Sequence, residues 1–156
     1  MKSDTIAAIA TALSDAGIGI IRISGPEAIA VANRVVVNKK KEHTLKNWQT
    51  HTIHYGFVEE NGTILDEVMV SVMKAPRSYT TEDTVEINCH GGVLLTKRVL
   101  EAVLHAGARM AEPGEFTKRA FLSGRIDLSE AEAVMDLIQA KNQFSMQASI
   151  KQLRGS

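Results

Sequence analysis

The chain has 156 residues, 44% apolar and 23% charged, with 18 basic side chains balanced by 18 acidic ones. This is an ordinary globular composition, with room for one core or a core plus an appendage. The balance lacks the basic excess of a nonspecific nucleic-acid binder, although a local basic patch stays open, and nothing approaches the ~18 apolar residues of a membrane span.

The single cysteine, Cys89, cannot close an intrachain disulfide, which fits a reducing cytoplasm. Lys2 and the apolar run Ile6 to Leu13 imitate a signal peptide, but Asp4 interrupts the basic part and the run is short. Thr5–Thr11 and Gly19–Ser24 read as strands, joined by a loop over Ala12–Ile18 with Asp15 and Gly17 as turn residues. Gly25-Pro26 opens a helix whose buried stripe is Ala28, Val31, Ala32 and Val35. Asn38 to Thr50, with Lys39-Lys40-Lys41, has little periodicity and reads as a solvated loop or frayed helix end.

Three strand-like runs follow, His51–Glu59, Ile64–Lys74 and Asp83–Cys89. Asn61-Gly62 marks a hairpin between the first two, and Ala75 to Thr81 is a loop. Gly91-Gly92 leads into a helix through about His105, with Leu95, Val99, Ala102 and Val103 on its apolar face and Gly107 as its stop. Arg109–Glu112 is a last short strand. Pro113 opens a short helix with Phe116, Ala120 and Phe121 turned inward and Gly124 at its end. Asp127-Leu128-Ser129-Glu130 has the form of a capping box and starts a long helix with a seam of Leu128, Ala131, Met135 and Ile138. The pattern weakens after Asn142 and the chain stops without a terminating motif, as if cut inside a larger protein. There are no internal repeats. The fold class expected is α+β, a mixed sheet with flanking helices, followed by the start of a helical region.

The stretch EINCHGG, Glu86 to Gly92, gathers the chemistry-bearing residue types. A Cys-His dyad needs both side chains within hydrogen-bond reach, and neighbours on a strand point to opposite faces. Cys89 shares the apolar register of Val85 and Ile87, so it reads as a packed small hydrophobe. His90 shares the other face with Glu86 and Asn88. No second cysteine stands at metal-ligand spacing, so no metal site is expected. Glu86, near a strand end before a Gly-Gly turn, lies either on a wet sheet face or in a pocket. A pocket carboxylate binds an amidine-like edge by two parallel hydrogen bonds, and a folate pterin presents such an edge. Arg22 is a strand arginine, either solvated or ion-paired. Arg125 follows Gly124 between two helices, where arginines cap carbonyls. The P-loop pattern is absent, as are a nucleophile elbow and a dinucleotide fingerprint.

Taken together, DTIAAIAT, IIRISGPEAI, TTEDTVEINCHGG and AEPGEFTKRAFLSGRIDLSEAEAVMDLI are very similar to the N-terminal region of the MnmE (TrmE) family of tRNA-modification GTPases. The resemblance covers nearly the whole chain. It implies a tetrahydrofolate-binding, homodimerising domain over 1–122, like the folate-binding fold of the glycine-cleavage aminomethyltransferase. Residues 123–156 would then begin a helical domain, with the GTPase domain absent. It also implies a cytoplasmic parent that uses GTP, Mg2+ and K+. With the flavoprotein MnmG (GidA), that parent would form the 5-carboxymethylaminomethyl or aminomethyl group on the wobble uridine of tRNA. The one-carbon unit would come from 5,10-methylene-tetrahydrofolate, with the 5-formyl compound as its stable stand-in.

The family's folate contacts map onto Arg22, Glu86 and Arg125. Glu86 is expected to hold the pterin edge, and the two arginines the glutamyl carboxylates or carbonyl oxygens. No catalytic residue and no GTP hydrolysis are expected of this chain alone. It departs from the family pattern in one place. ALSDAGIG stands where a Pro/Gly-rich turn is usual, so the loop near Arg22 and the affinity that depends on it are in question. Two other readings stay open: a dimerisation scaffold without folate binding, and a stand-alone aminomethyltransferase-like one-carbon enzyme.

Overall fold

The computed structural model describes residues 4–11 and 17–154, with side-chain surroundings through residue 143. Most of the expected loop at Ala12–Ile18, and with it the departure from the family pattern, lies outside the described residues. Within them, no helix is long and apolar enough to cross a membrane. The described chain divides into two compact units between Ala111 and Glu112.

The first unit is a seven-stranded mixed sheet with two helices on one face. The strands are β1 (Ile6–Ile9), β2 (Gly19–Ser24), β3 (Val36–Val37), β4 (Thr52–Glu60), β5 (Thr63–Met73), β6 (Thr84–Cys89) and β7 (Arg109–Met110). Their spatial order is β3-β4-β5-β6-β2-β1-β7. All neighbours are antiparallel except β1 and β7, which are parallel. The β1–β2 pairing continues past Ile9, through the Ala10 N–H to the Ile20 carbonyl at 2.7 Å. The expected mixed α+β architecture is therefore present, and every expected strand is found within a few residues of its bounds. β3 is an additional, unexpected strand: Val36 and Val37 leave the helix register to pair with Val58 and Phe57.

Asn61 and Gly62 both take positive φ, 52° and 81°, and join β4 to β5 as a two-residue hairpin turn. Period-2 alternation then decides which face each residue joins. Val68, Val70, Val72, Val85, Ile87 and Cys89 face the helices together with Ile21 and Ile23, and all are fully buried.

α1 (Ala28–Val35) buries the expected Ala28, Val31, Ala32 and Val35. α2 (Val93–His105) buries Thr96, Val99, Leu100, Ala102 and Val103. Leu95, expected on its apolar face, is only half-buried, and Thr96 takes the inner position. The reason is local. The Thr96 hydroxyl satisfies itself by donating to the Gly92 carbonyl at 2.8 Å, and its side chain fills the space above Gly19, where a Cβ would collide with it. The segment Asn38 to Thr50 is not featureless. It contains a short 3-10 turn, Leu45–Asn47, whose Leu45 is buried in the main core.

The second unit contains α3 (Glu115–Leu122) and α4 (Leu128–Arg154). The capping box forms as expected: the Glu130 N–H donates to Asp127 Oδ1 at 2.8 Å, and the Asp127 N–H to Glu130 Oε1 at 3.3 Å. Ala120, Ile126 and Ala131 make a small separate core. That core groups α3 with α4, whereas the sequence reading placed α3 in the first domain. The inward set on α3 is Thr117 and Ala120. Phe121, expected inward, is 37% exposed, and Leu128 and Met135 of the expected α4 seam are exposed as well. These three side chains line an open groove of about 390 Å³ along α3 and α4.

Candidate functional site

The face of the sheet opposite the helices carries the candidate site. Ala8, Arg22, Glu86, Ser71 and Ile53 form one row across β1, β2, β6, β5 and β4. Arg22 and Glu86 are thus direct cross-strand neighbours, placed by the antiparallel register of β2 and β6. Their positions follow from alternation: Ile21, Ile23, Val85 and Ile87 must face the helices, so Arg22 and Glu86 must face away.

Geometry makes them a pair. Arg22 Nε donates to Glu86 Oε2 at 2.8 Å, and Arg22 Nη2 lies 2.8 Å from the same oxygen. These two guanidinium contacts to Glu86 fall on the same oxygen. The side chains are 32% and 25% exposed. They are partly exposed at the sheet surface, so solvent screens part of their attraction. Among the described residues, Glu86 is a partly buried carboxylate engaged by Arg22.

The rest of this face is mixed. At one end Ser24 and Thr84 are buried. Ser24 Oγ lies 2.7 Å from Thr80 Oγ1 and donates to Glu82 Oε1 at 2.9 Å, which closes the loop before β6 over that end. Towards β4 the face opens. Ile53 is 65% exposed and Tyr55 47%. The Tyr55 hydroxyl donates to Glu67 Oε2 at 2.6 Å, and that carboxylate raises the phenol above its ordinary value.

Arg125 belongs to the second unit, between α3 and α4. It is exposed. Its backbone N–H, not its side chain, reaches a carbonyl, that of Ala120 at 2.9 Å. The structure brings Arg22 and Glu86 together; Arg125 belongs to the second compact unit. Three concavities, at α3–α4, around Asp4 and Asp83, and around Arg34 and Glu60, are lined by other residues.

Cys89 is fully buried among the core valines, and burial pushes its thiol up to about 12. A thiol held protonated is neither a nucleophile nor a ready metal ligand, so the packing role is the one observed. His90 is exposed and its backbone N–H donates to Asp66 Oδ2 at 2.9 Å, with the Gly91 N–H reaching the same oxygen at 3.2 Å. Asp66 thereby fixes the turn from β6 into α2. Sequence reasoning missed it because its reach depends on how β5 registers against β6.

A sheet covered by helices on one face, with a central Arg–Glu pair on the other, defines the class as a small two-layer α+β domain. The family model described as "GTP-binding protein TrmE N-terminus" matches residues 5–125, and the chain belongs to that family. Similar curated proteins are tRNA modification GTPases MnmE. That of Lachnoclostridium phytofermentans is 61% identical over 156 residues, all of this chain and 34% of the relative. That of Streptococcus thermophilus is 58% identical over 153 residues, 98% of this chain and 33% of the relative. That of Bacillus subtilis is 54% identical over 154 residues, 97% and 33%. The chain thus spans about a third of the length of the curated relatives it matches.

Proposed function

We propose that the chain is the tetrahydrofolate-binding, homodimerising N-terminal module of a tRNA-modification GTPase. The parent would act in the cytoplasm with a flavoprotein of the MnmG (GidA) type. It would use GTP, Mg2+ and K+ to install an aminomethyl or carboxymethylaminomethyl group on a wobble uridine. A bound folate would supply the one-carbon unit.

The observation that carries this reading is the Arg22–Glu86 pair on the uncovered sheet face. The donor set fits a folate. A carboxylate matches the amino and ring N–H edge of a pterin through two parallel hydrogen bonds. Arg22 occupies Oε2, so in the folate-bound state Arg22 yields that oxygen and both carboxylate oxygens accept from the pterin in parallel. A guanidinium fork matches a glutamyl carboxylate, which suits the exposed Arg125. None of the three concavities holds the pair. A small ligand needs most of its surface buried. A second copy laid over the Ile53 and Tyr55 side of the face would supply the missing wall, and this links the folate and dimer readings.

Calorimetric titration with 5-formyl-tetrahydrofolate tests the reading, run beside Glu86→Ala and Arg125→Ala, with sedimentation reporting the oligomer. Saturable binding by a dimer, lost in Glu86→Ala, is the expected result. A folded wild-type chain that binds no folate sinks the folate half, and dimerisation without folate binding leaves a scaffold in its place.

A further inference from the structure

Positive charge is unevenly placed in this neutral chain. Residues 34–46 carry five basic side chains and one acidic, so the remainder is net acidic. Lys39, Lys40, Lys41 and Lys46 are all exposed. None of the four forms an ion pair among the described residues.

The backbone beneath them is pinned. Asn38 Oδ1 accepts the N–H groups of Lys40 and Glu42, each at 2.9 Å. The Asn38 N–H donates to the Glu42 carbonyl at 3.0 Å, and the Lys41 N–H to the Asn38 carbonyl at 2.9 Å. Lys41 sits at φ 61°, in the left-handed region that favours glycine or asparagine. The Lys46 N–H donates to Asn33 Oδ1 at 3.2 Å, and the neighbouring Leu45 is in the core. Glu42, the one acid within residues 34–46, is turned to Asn38 Nδ2 at 3.4 Å rather than to a lysine. A tight turn therefore holds three like charges side by side with no internal counter-charge. Like charges held together repel, and an anion laid across them removes that cost.

We propose that the Lys39–Lys41 turn, flanked by Lys46, is a phosphate-contact surface for tRNA. This rests on the tRNA-modification reading given above. Lysine is a compact point charge suited to phosphate oxygens, so the contact positions the RNA without reading its bases. A membrane surface fits less well. Polybasic lipid contacts come as clusters of 4–8 lysines or arginines beside a membrane helix or on an amphipathic one, whereas the neighbours here are the polar Asn38, Glu42, His43 and Thr44.

The test is fluorescence anisotropy of labelled tRNA with the full chain across a salt series, beside the triple variant Lys39→Gln, Lys40→Gln, Lys41→Gln. Wild-type affinity is expected to fall with salt. The triple variant is expected to lower the log–log salt slope by about 2 and to weaken binding roughly tenfold at low salt. Its melting temperature and folate titration are expected to match wild type, since these side chains touch neither the core nor the Arg22–Glu86 pair. Equal tRNA affinity in the variant overturns the proposal while leaving the tRNA reading in place. So does a wild type that ignores tRNA at low salt, or one that instead binds phosphatidylserine vesicles through these lysines. Failure of folate binding or dimerisation with the lysine effect intact would sink the module reading alone.

Discussion

Arg22 and Glu86, 64 positions apart in the chain, meet side by side on the uncovered face of the sheet, with Arg22 Nε donating to Glu86 Oε2 at 2.8 Å. The antiparallel register of β2 on β6 makes them partners, and the helix-facing isoleucines and valines on either side fix that register. The pair is half-exposed, so its contribution to stability is small. In the proposed function, its use is to present a charged acceptor to a ligand.

Glu86→Ala is therefore expected to cost little in melting temperature and much in ligand affinity. Loss of a charge-assisted hydrogen bond should weaken 5-formyl-tetrahydrofolate binding about tenfold or more, roughly 1.5–3 kcal/mol. Calorimetry of the variant beside its thermal unfolding separates the two effects. A variant that unfolds readily but binds normally would mean the pair is structural.

Gly19 is expected to tolerate no side chain. A Cβ there would overlap Thr96 Oγ1 and Cγ2, and Thr96 is held by its bond to the Gly92 carbonyl. Gly19→Ala should destabilise the first unit by about 1–3 kcal/mol in urea unfolding, as overpacking does. Adding Thr96→Ala should recover part of that loss. No recovery would place the strain elsewhere.

The α4 cap is expected to matter in proportion to its hydrogen bond. Asp127→Ala removes the acceptor for the Glu130 N–H and should cost about 1 kcal/mol. Reduced helical circular dichroism on mild heating would report it. Asp127→Ser should restore most of the signal, because serine caps nearly as well.

Glu60 gives the expected pH dependence. It is held by Arg98 and His105 from α2, and hydrogen bonds from these two side chains, Arg98 first, pull its carboxyl below the ordinary 4.5. A depressed folded value means the stabilisation is present above the unfolded value and is lost as pH falls through the folded one. Wild-type stability should therefore fall below about pH 4.5 more steeply than that of Glu60→Gln. Parallel acid limbs in the two proteins would show that this carboxylate is not linked to folding.

Cys89 is expected to stay silent to thiol reagents in the native state. It is fully buried and its thiol is pushed up to about 12. A disulfide reagent such as Ellman's should react only as urea unfolds the chain, in step with the loss of tertiary structure. Rapid native labelling would contradict the packing assignment.

Local patterns in the sequence were enough to specify most of the elements. Asn61-Gly62 marks its hairpin because only a few residue types accept positive φ at both turn positions. Val68, Val70 and Val72 announce their face by alternation, and Asp127 with Glu130 announces the start of α4. The assignment of Cys89 to the core followed from the same parity. Each of these signals acts across a few residues, so each is legible without a fold.

Only the tertiary structure decided which strands stand beside which, and with them the site. Nothing near Arg22 in the chain says that Glu86 will face it. Nothing near Asp66 says that its carboxylate will hold the turn at His90 and Gly91. Thr96 displaced Leu95 from the inner face because Gly19 arrived opposite it. Phe121 stayed exposed because the small core between α3 and α4 closes around Ala120, Ile126 and Ala131 without it. The resemblance named Arg22, Glu86 and Arg125 in advance, but the pairing of the first two is a matter of strand register. Register is settled by burying whole faces at once, a property of the assembled sheet rather than of any one segment.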